Sequence, residues 1–448
     1  MKKYFSFFLV LLQLLLLAGC ASSGGDNALY ADLPTVPQTN EHLSIYASRK
    51  SELLSAALNQ YRKLYPDVEV ELIEPKETSN SVEAQEQDNQ VLTQLMAGKG
   101  PDILLVDDQG MDIEKLVRQG VFADMEPFFK ADGFDWEPYN QAVMDAGLWN
   151  GKRFVIPLSY SFDLLCTTRK ALEETGFNVE ACKDFKGFLD ETTRYMDDSA
   201  QTRRLFGDWF DVGFDFFYNS GISVIDYDEK TADFSDPLLT SAIHWNRKVE
   251  NTHPSVPGID FLIGAAAVRD RQALWTTSGM GVLYDLFFTA GALRTVDETV
   301  MMPIRDVNGG IQVHIDSPMV VRGNSENLKS AYDFLKILLS LELQDEVFGS
   351  MPVLYSAAEN YLNRGFGSHS PEGAHGFSST THRGSALDDP SQEEIHQILN
   401  LTHEVTGAYY SYPYSSVGLV MGRYILGYEE YEETLEKAQS ALELYLTE

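Results

Sequence analysis

Leu43-Ser44-Ile45-Tyr46-Ala47, then Ser51, then Leu53, Leu54, Ala57, Leu58, Tyr61 and Leu64 are the residues that decide how this chain folds. The first five alternate like a strand. The later apolar residues recur at the three-and-four spacing of one buried helix face, with Ser51 placed to cap it. Pro66 ends that helix, because proline has no N–H to continue the ladder. Next come a period-two strand, Val68-Glu69-Val70-Glu71-Leu72-Ile73, a polar loop, and a helix around Val91 to Met96 halted by Gly98 and Gly100. The apolar strand Pro101-Asp102-Ile103-Leu104-Leu105-Val106-Asp107 closes the series. Strand, helix, strand, helix, strand predicts an α/β fold with a mainly parallel sheet covered by helices on both faces.

Ahead of this unit, Lys2 and Lys3 precede an almost uniformly apolar run from Tyr4 to Leu17 that ends in small residues. That pattern reads as a secretory signal peptide over residues 1–19. The run is shorter than the roughly 20 residues a membrane-spanning helix needs. Leu17-Ala18-Gly19-Cys20 resembles the bacterial lipobox, which implies acylation of Cys20 and a chain tethered to the outer face of the cytoplasmic membrane. An ordinary cleaved signal with an incidental cysteine is the alternative. Residues 20–42, rich in Ser, Gly, Pro, Thr and Asn from Ala21 to Asn40, read as a disordered tether.

The chain of 448 residues has room for two or three domains. Its 34 Lys plus Arg against 67 Asp plus Glu set a net charge of -33, which argues against nucleic acid as a partner. With Cys20 assigned to the lipobox, Cys166 and Cys182 remain, too few for a disulfide scaffold; they either pair or stay as buried thiols.

Beyond the β-α-β opening, the order of motifs is informative. Tyr61-Arg62-Lys63-Leu64-Tyr65-Pro66-Asp67-Val68 and Gln94-Leu95-Met96-Ala97-Gly98-Lys99-Gly100-Pro101-Asp102-Ile103 resemble the opening of bacterial extracellular solute-binding proteins of the family that includes maltose-binding protein. The resemblance continues through Val121-Phe122-Ala123-Asp124-Met125-Glu126-Pro127-Phe128, through Trp149-Asn150-Gly151-Lys152 ahead of Ile156-Pro157-Leu158-Ser159-Tyr160-Ser161, through Asn324 to Leu343, and into the amphipathic segment Tyr428 to Glu448. It implies a two-lobed fold of the periplasmic-binding-protein type II kind with a ligand cleft between lobes. One lobe would comprise residues 43–155 plus 300–349 and the other 156–299 plus 350–448, with crossings near Phe154 to Leu158, Val300 and Ser350. It also implies a monomeric, non-enzymatic binder that closes on a carbohydrate, most simply an oligosaccharide, and delivers it to the transmembrane subunits of an ABC permease. Two departures stand out. Thr167-Thr168-Arg169 replaces the family's Tyr-Asn-Lys, and Asn363 to Pro390 has no counterpart.

Ligands of open α/β sheets sit at the carboxyl ends of the strands, which nominates side chains by position. Tyr46 and Arg49 follow the first strand, Asp107 and Asp108 the third, and Tyr160 the strand Phe154 to Leu158. Trp209 lies in Gly207-Asp208-Trp209-Phe210-Asp211. Tyr284 and Asp285 end Gly279-Met280-Gly281-Val282-Leu283-Tyr284-Asp285, which is similar to a family segment whose trailing loop enters the site. Aromatic rings pack on the C–H face of a sugar while carboxylates accept from its hydroxyls, so this set suits a carbohydrate. Plainer readings accompany each: Trp209 sits among Phe206, Phe210, Phe214, Phe216 and Phe217 as core, and Asp107 or Asp108 can cap a helix at Asp112 to Leu116. A non-sugar polar solute, an acidic or phosphorylated sugar drawn by Arg49, and an exported glycosidase are the rivals. Against the last, His403-Glu404 lacks a second histidine, no Gly-x-Ser-x-Gly appears, and Gly98-Lys99-Gly100 is too short for a phosphate loop. No metal or cofactor is expected: His369, His375 and His382 show no ligand spacing, and Asp228-Glu229-Lys230 reads as a hairpin turn between Val224-Ile225 and Ala232-Phe234.

Overall fold

The computed structural model describes residues 42–75, 81–106, 110–207, 215–252, 264–279, 283–347, 349–364, 390–412 and 414–447. In the first lobe a five-stranded sheet runs in the order Glu69–Ile73, His42–Ala47, Ile103–Leu105, Pro318–Val321, Val155–Pro157. The first three strands are parallel, with Leu43 opposite Val70 and Ile45 opposite Ile103, as the β-α-β pattern requires. Pro318–Val321 alone runs against them, Val320 lying opposite both Leu104 and Val155, because the chain leaves this lobe by Val155–Pro157 and returns by Pro318–Val321 in the opposite direction.

The helix Glu52–Leu64 covers one face of the sheet. Ser51 Oγ accepts from Leu54 N at 3.2 Å, satisfying one of the free N–H groups of the first turn, and Leu54, Ala57, Leu58 and Tyr61 are buried. On the opposite face Val91 and Leu95 of the helix Ser81–Met96, with Ile113, Leu116 and Val117 of the helix Ile113–Arg118, pack on Leu104 and Val320. Both faces are therefore covered.

A second sheet, ordered Thr299–Pro303, Asp163–Thr168, Ala273–Gly279, Arg204–Phe206, anchors the other lobe. Phe185, Phe188, Trp245, Phe206 and Trp275 form its core against the helices Phe185–Asp197 and Pro237–Asn251. A separate apolar body of that lobe joins the hairpin Ile225–Asp226/Thr231–Ala232 to the helices Tyr414–Ile425 and Tyr431–Thr447. Lys230, at φ 55, makes the turn of that hairpin where the sequence places one.

The lobes are joined through a third sheet, Met351–Pro352, Ser159–Ser161, Ile311–Ile315, Val405–Tyr409. Leu158 alone separates its second strand from the first-lobe strand Val155–Pro157, and Asp316 and Ser317 separate Ile311–Ile315 from Pro318–Val321. One expected boundary moves. Thr299–Pro303 pairs with Asp163–Thr168, Val300 opposite Thr167, so the chain is still in the second sheet at Val300 and regains the first only at Pro318. The apolar Met301-Met302-Pro303 run is taken up as the edge strand of the second sheet. Cys166 and Cys182 are both buried and keep their thiols rather than bridging to each other. Among the described residues no helix is long and apolar enough to cross a membrane.

Candidate functional site

The hairpin Leu148–Trp149/Lys152–Arg153 builds one wall of a cavity between the lobes. Its two-residue turn uses Asn150 at φ 53 and Gly151 at φ 74, the left-handed pair that an Asn-Gly turn supplies at little strain. Arg153 fastens the hairpin from behind. Its guanidinium is buried, donates to Glu126 Oε2 at 2.8 Å and Met144 O at 2.7 Å, and lies 4.1 Å from the Trp136 ring centroid. Trp149 is thereby presented to the cleft, beside Glu114 and Arg118 of the helix Ile113–Arg118.

The cavity has a volume of about 650 Å³, within the usual range for small-molecule sites. Its back is formed by Gln312 and by Tyr409, Tyr410 and Tyr412, where the strand Val405–Tyr409 runs out. Gln312 can lie across that strand because residue 407 is glycine: a Cβ there would meet Gln312 Oε1 at 2.3 Å. The far wall is second-lobe: Tyr218, the segment Gly221 to Tyr227, Thr231 and Asp233. The rings come in pairs. Tyr218 and Tyr409 stack at 4.6 Å between centroids and 3° between planes, and Trp149 and Tyr410 at 6.2 Å and 21°. The hydroxyls of one ring in each pair are spoken for by backbone, Tyr218 donating to Ser411 O and Tyr410 to Ala146 O at 3.1 Å, which holds those ring planes in place.

The polar lining is mainly acidic. Burial pushes the Glu114 carboxyl above the usual carboxylate range, and Arg118, donating to Glu114 Oε1 at 2.9 Å, only partly offsets that. The Arg118 guanidinium is also paired with Asp228. Asp226 and Asp233 are exposed at the hairpin, where Asp226 Oδ1 accepts from Asp228 N and Glu229 N and Asp233 Oδ1 from Ser235 N. Such a cavity offers flat apolar faces of about one sugar ring each, with hydrogen-bond acceptors at their edges.

The residues nominated by strand-end position do not converge here. Tyr46 is 1% exposed, packed with Val91 and Leu104, and donates to Asp88 Oδ1 at 2.5 Å. Tyr160 is fully buried and receives Asn140 Nδ2 at 3.3 Å; both rings point into the cores rather than past the strand end. Arg49 is exposed and donates to Asp316 O at 2.9 Å, tying the end of the first strand to the crossing segment, and it does not line the cavity. Tyr284 and Asp285 open the helix Leu283–Arg294. Asp107, Asp108 and Trp209, the tether with Cys20, and residues 365–389 with their three histidines lie outside the described residues. The N-cap once open to Asp107 or Asp108 is filled by Asp112, whose Oδ1 accepts from Lys115 N at 2.9 Å. Missed by sequence reasoning were Trp149, Tyr218, Tyr227, Tyr409, Tyr410 and Tyr412. The run Tyr409-Tyr410-Ser411-Tyr412 at a strand end carried a readable signal, aromatic density where a core has no room for it.

A family model described as bacterial extracellular solute-binding protein matches residues 46–345. Among solved structures, the chain is similar to the sugar-binding protein MalE from Xanthomonas citri, with a TM-score of 0.62 and 13% identity over 91% of this chain and 97% of that one. An ABC substrate-binding protein from Listeria monocytogenes, in complex with cycloalternan, aligns with a TM-score of 0.55 and 13% identity over 91% of this chain and 99% of that one. The cyclic alpha-maltosyl-1,6-maltose binding protein from Arthrobacter globiformis aligns at 0.54 and 15% over 90% and 98%. No curated protein sequence matches the chain. At such identities the structural likeness speaks for the fold, two lobes with a cleft between them. Because the family match covers well over half of the chain, this chain belongs to the bacterial extracellular solute-binding protein family.

Proposed function

We propose that this protein is the exported binding component of an ABC importer, tethered through lipid on Cys20, and that it captures a neutral oligosaccharide in the interlobe cavity and presents it to the permease by closing. The observation that carries the sugar reading is the paired aromatic lining, Trp149 with Tyr410 and Tyr218 with Tyr409, set among acceptors in a space of about 650 Å³. Ring faces bury the C–H side of a sugar, and the carboxylates and Gln312 take its hydroxyls. The family and the sugar-binding neighbours support the same reading.

Charge argues against the acidic or phosphorylated sugar that Arg49 first suggested. Glu114, Asp226 and Asp233 face Arg118 alone among the described lining residues, and Arg118 is already paired. An anionic ligand would enter a field of its own sign.

A thermal-shift screen of neutral oligosaccharides, uronic acids, phosphorylated sugars and amino acids tests this. A ligand at 100 times its Kd that binds only the folded state adds about 2.7 kcal/mol of stability, a visible rise in Tm. A saturable rise with one neutral glycan class and no product formed is the expected result. Silence across the sugars with a response to another solute would sink the carbohydrate reading.

A further inference from the structure

At the margin of the cavity, which Arg118 and Tyr227 still line, the first lobe makes a second and quite different contact with the other. Asp112 uses Oδ1 to cap its own helix, and its remaining oxygen faces the opposite lobe. There Oδ2 accepts from Tyr227 Oη of the hairpin at 2.8 Å and from Tyr445 Oη of the helix Tyr431–Thr447 at 3.0 Å. One turn further along, Lys115 Nζ donates to Tyr445 O at 2.7 Å and sits 3.9 Å from the Tyr445 ring centroid. Arg118 completes the row, paired with Asp228 and 5.3 Å from the centroid of the Tyr227 ring.

These partners belong to separate apolar bodies. The helix of Asp112 is packed through Ile113, Leu116 and Val117 against first-lobe residues, whereas Tyr227 and Tyr445 pack on the body of Val224, Val417 and Leu442. Among the described residues no shared apolar cluster holds the two helices together, so the polar row lasts only while the lobes are close. Opening would return Asp112, now 5% exposed, and both phenols to water. Each contact then has a modest net worth, because the open form exchanges it for hydration and does not strand it unsatisfied. That is the energetic profile of a contact that biases an equilibrium between two forms.

We infer that Asp112, Lys115 and Tyr445 are positioning residues that form a latch setting the resting balance of open and closed lobes, and through it the affinity of the cleft, without touching the ligand. Neither Asp112, Lys115 nor Tyr445 lines the cavity. The inference rests on the two-lobed binding reading, but not on which solute is bound. Since the fraction of closed form scales the apparent affinity, a latch permits tuning of capture and release with the binding residues left intact.

The test reads lobe spacing with no solute present. In the full chain with Cys20→Ser, Lys130→Cys on the first lobe and Lys186→Cys on the second, both well exposed, carry spin labels for distance measurement. Cys166 and Cys182 are buried, and burial pushes the Cys182 thiol up to about 12, so neither competes for label. Tyr445→Phe removes one hydroxyl donor while keeping the ring under Lys115; Lys115→Met removes the charge and keeps the stem. Each should raise the ratio of long to short distances about threefold to tenfold, with cooperative melting retained. In Asp112→Asn the further effect of Tyr445→Phe should shrink, as expected of coupled neighbours. Distance distributions unchanged in both single variants, or a parent protein with no short-distance population, would overturn the latch. Failure of every glycan to bind would leave this result standing and strike only the proposed function.

Discussion

Asp102 and Asp112 lie ten positions apart in one passage of the first lobe, both nearly inaccessible, and they are held in opposite ways. Asp102 is met wholly from within its lobe. Ser44 N and Ser44 Oγ donate to Oδ2 at 2.9 and 2.8 Å, Asn327 Nδ2 at 3.1 Å, and Ser325 Oγ and Arg322 Nη2 donate to Oδ1 at 2.7 and 3.2 Å. Burial alone would raise its carboxyl, but the donations from Ser325, Ser44 and Asn327 outweigh it and hold the group below the usual range. Asp112 has one backbone donor and two phenols from the other lobe, and there burial prevails, so its carboxyl is raised. A carboxylate that never leaves its site can have its water replaced completely. One that must be uncovered at each opening is better served by a looser set.

The largest expected effect follows from the closed set. Asp102→Ala removes the acceptor on which Ser44, Ser325, Asn327 and one arm of Arg322 converge, where the strand Ile103–Leu105, the first strand and the returning segment are stitched together. A loss of about 3 kcal/mol of stability is expected in chemical denaturation, with the Kd of the folded fraction little changed. Asp112→Ala should show the reverse profile. It loses a helix cap worth about 1 kcal/mol, and the affinity of the cleft falls several-fold as the latch opens. Equal stability losses and equal affinities in the two variants would erase the distinction drawn between them.

Acid titration sharpens the same comparison. For Asp102 the folded carboxyl titrates below its unfolded value of about 3.9, so the unfolded chain binds more protons in between and stability falls as pH drops through that window. Its contribution is complete above the unfolded value. For Asp112 the folded carboxyl titrates above the unfolded value, the folded chain binds more protons, and stability declines as pH rises from about 3.9 through the raised value. Asp102→Asn should therefore flatten the acid limb of the stability curve, and Asp112→Asn should remove a shallow slope of opposite sign just above it.

Much of this architecture was legible in order. Ser51 as a cap, the alternation of Leu43 to Ala47, the turn at Asp228-Glu229-Lys230 and the succession of family motifs are local signals, and local signals survive in a string of letters. The cleft was not legible, for two physical reasons. A strand-end rule says where a residue lies along the sheet but not which neighbours cover its face, and Tyr46 and Tyr160 are covered. The aromatic pairs join Trp149 to Tyr410 and Tyr218 to Tyr409, partners brought together by the connecting sheet and by no periodicity in either segment. The place of Asp112 was partly visible, since its helix was expected at Asp112 to Leu116, while Tyr227 and Tyr445 come to it from the other lobe.

The smallest expected effect tests whether Asp102 is held by one strong contact or by a shell. Ser325→Ala removes the shortest donor to Asp102 Oδ1 and leaves Ser44, Asn327 and Arg322 in place. If the shell acts jointly, the remaining donors keep the carboxylate solvated and the loss is about 1 kcal/mol, the net worth of one hydrogen bond. Affinity should stay within about twofold, because closure is not among the equilibria that Asp102 enters. A loss approaching that of Asp102→Ala would mean that Ser325 alone holds the charge, and the contrast with the loosely held Asp112 would then be one of a single bond. A change in affinity would carry more weight, since it would put the anchor itself among the parts that move when the lobes close.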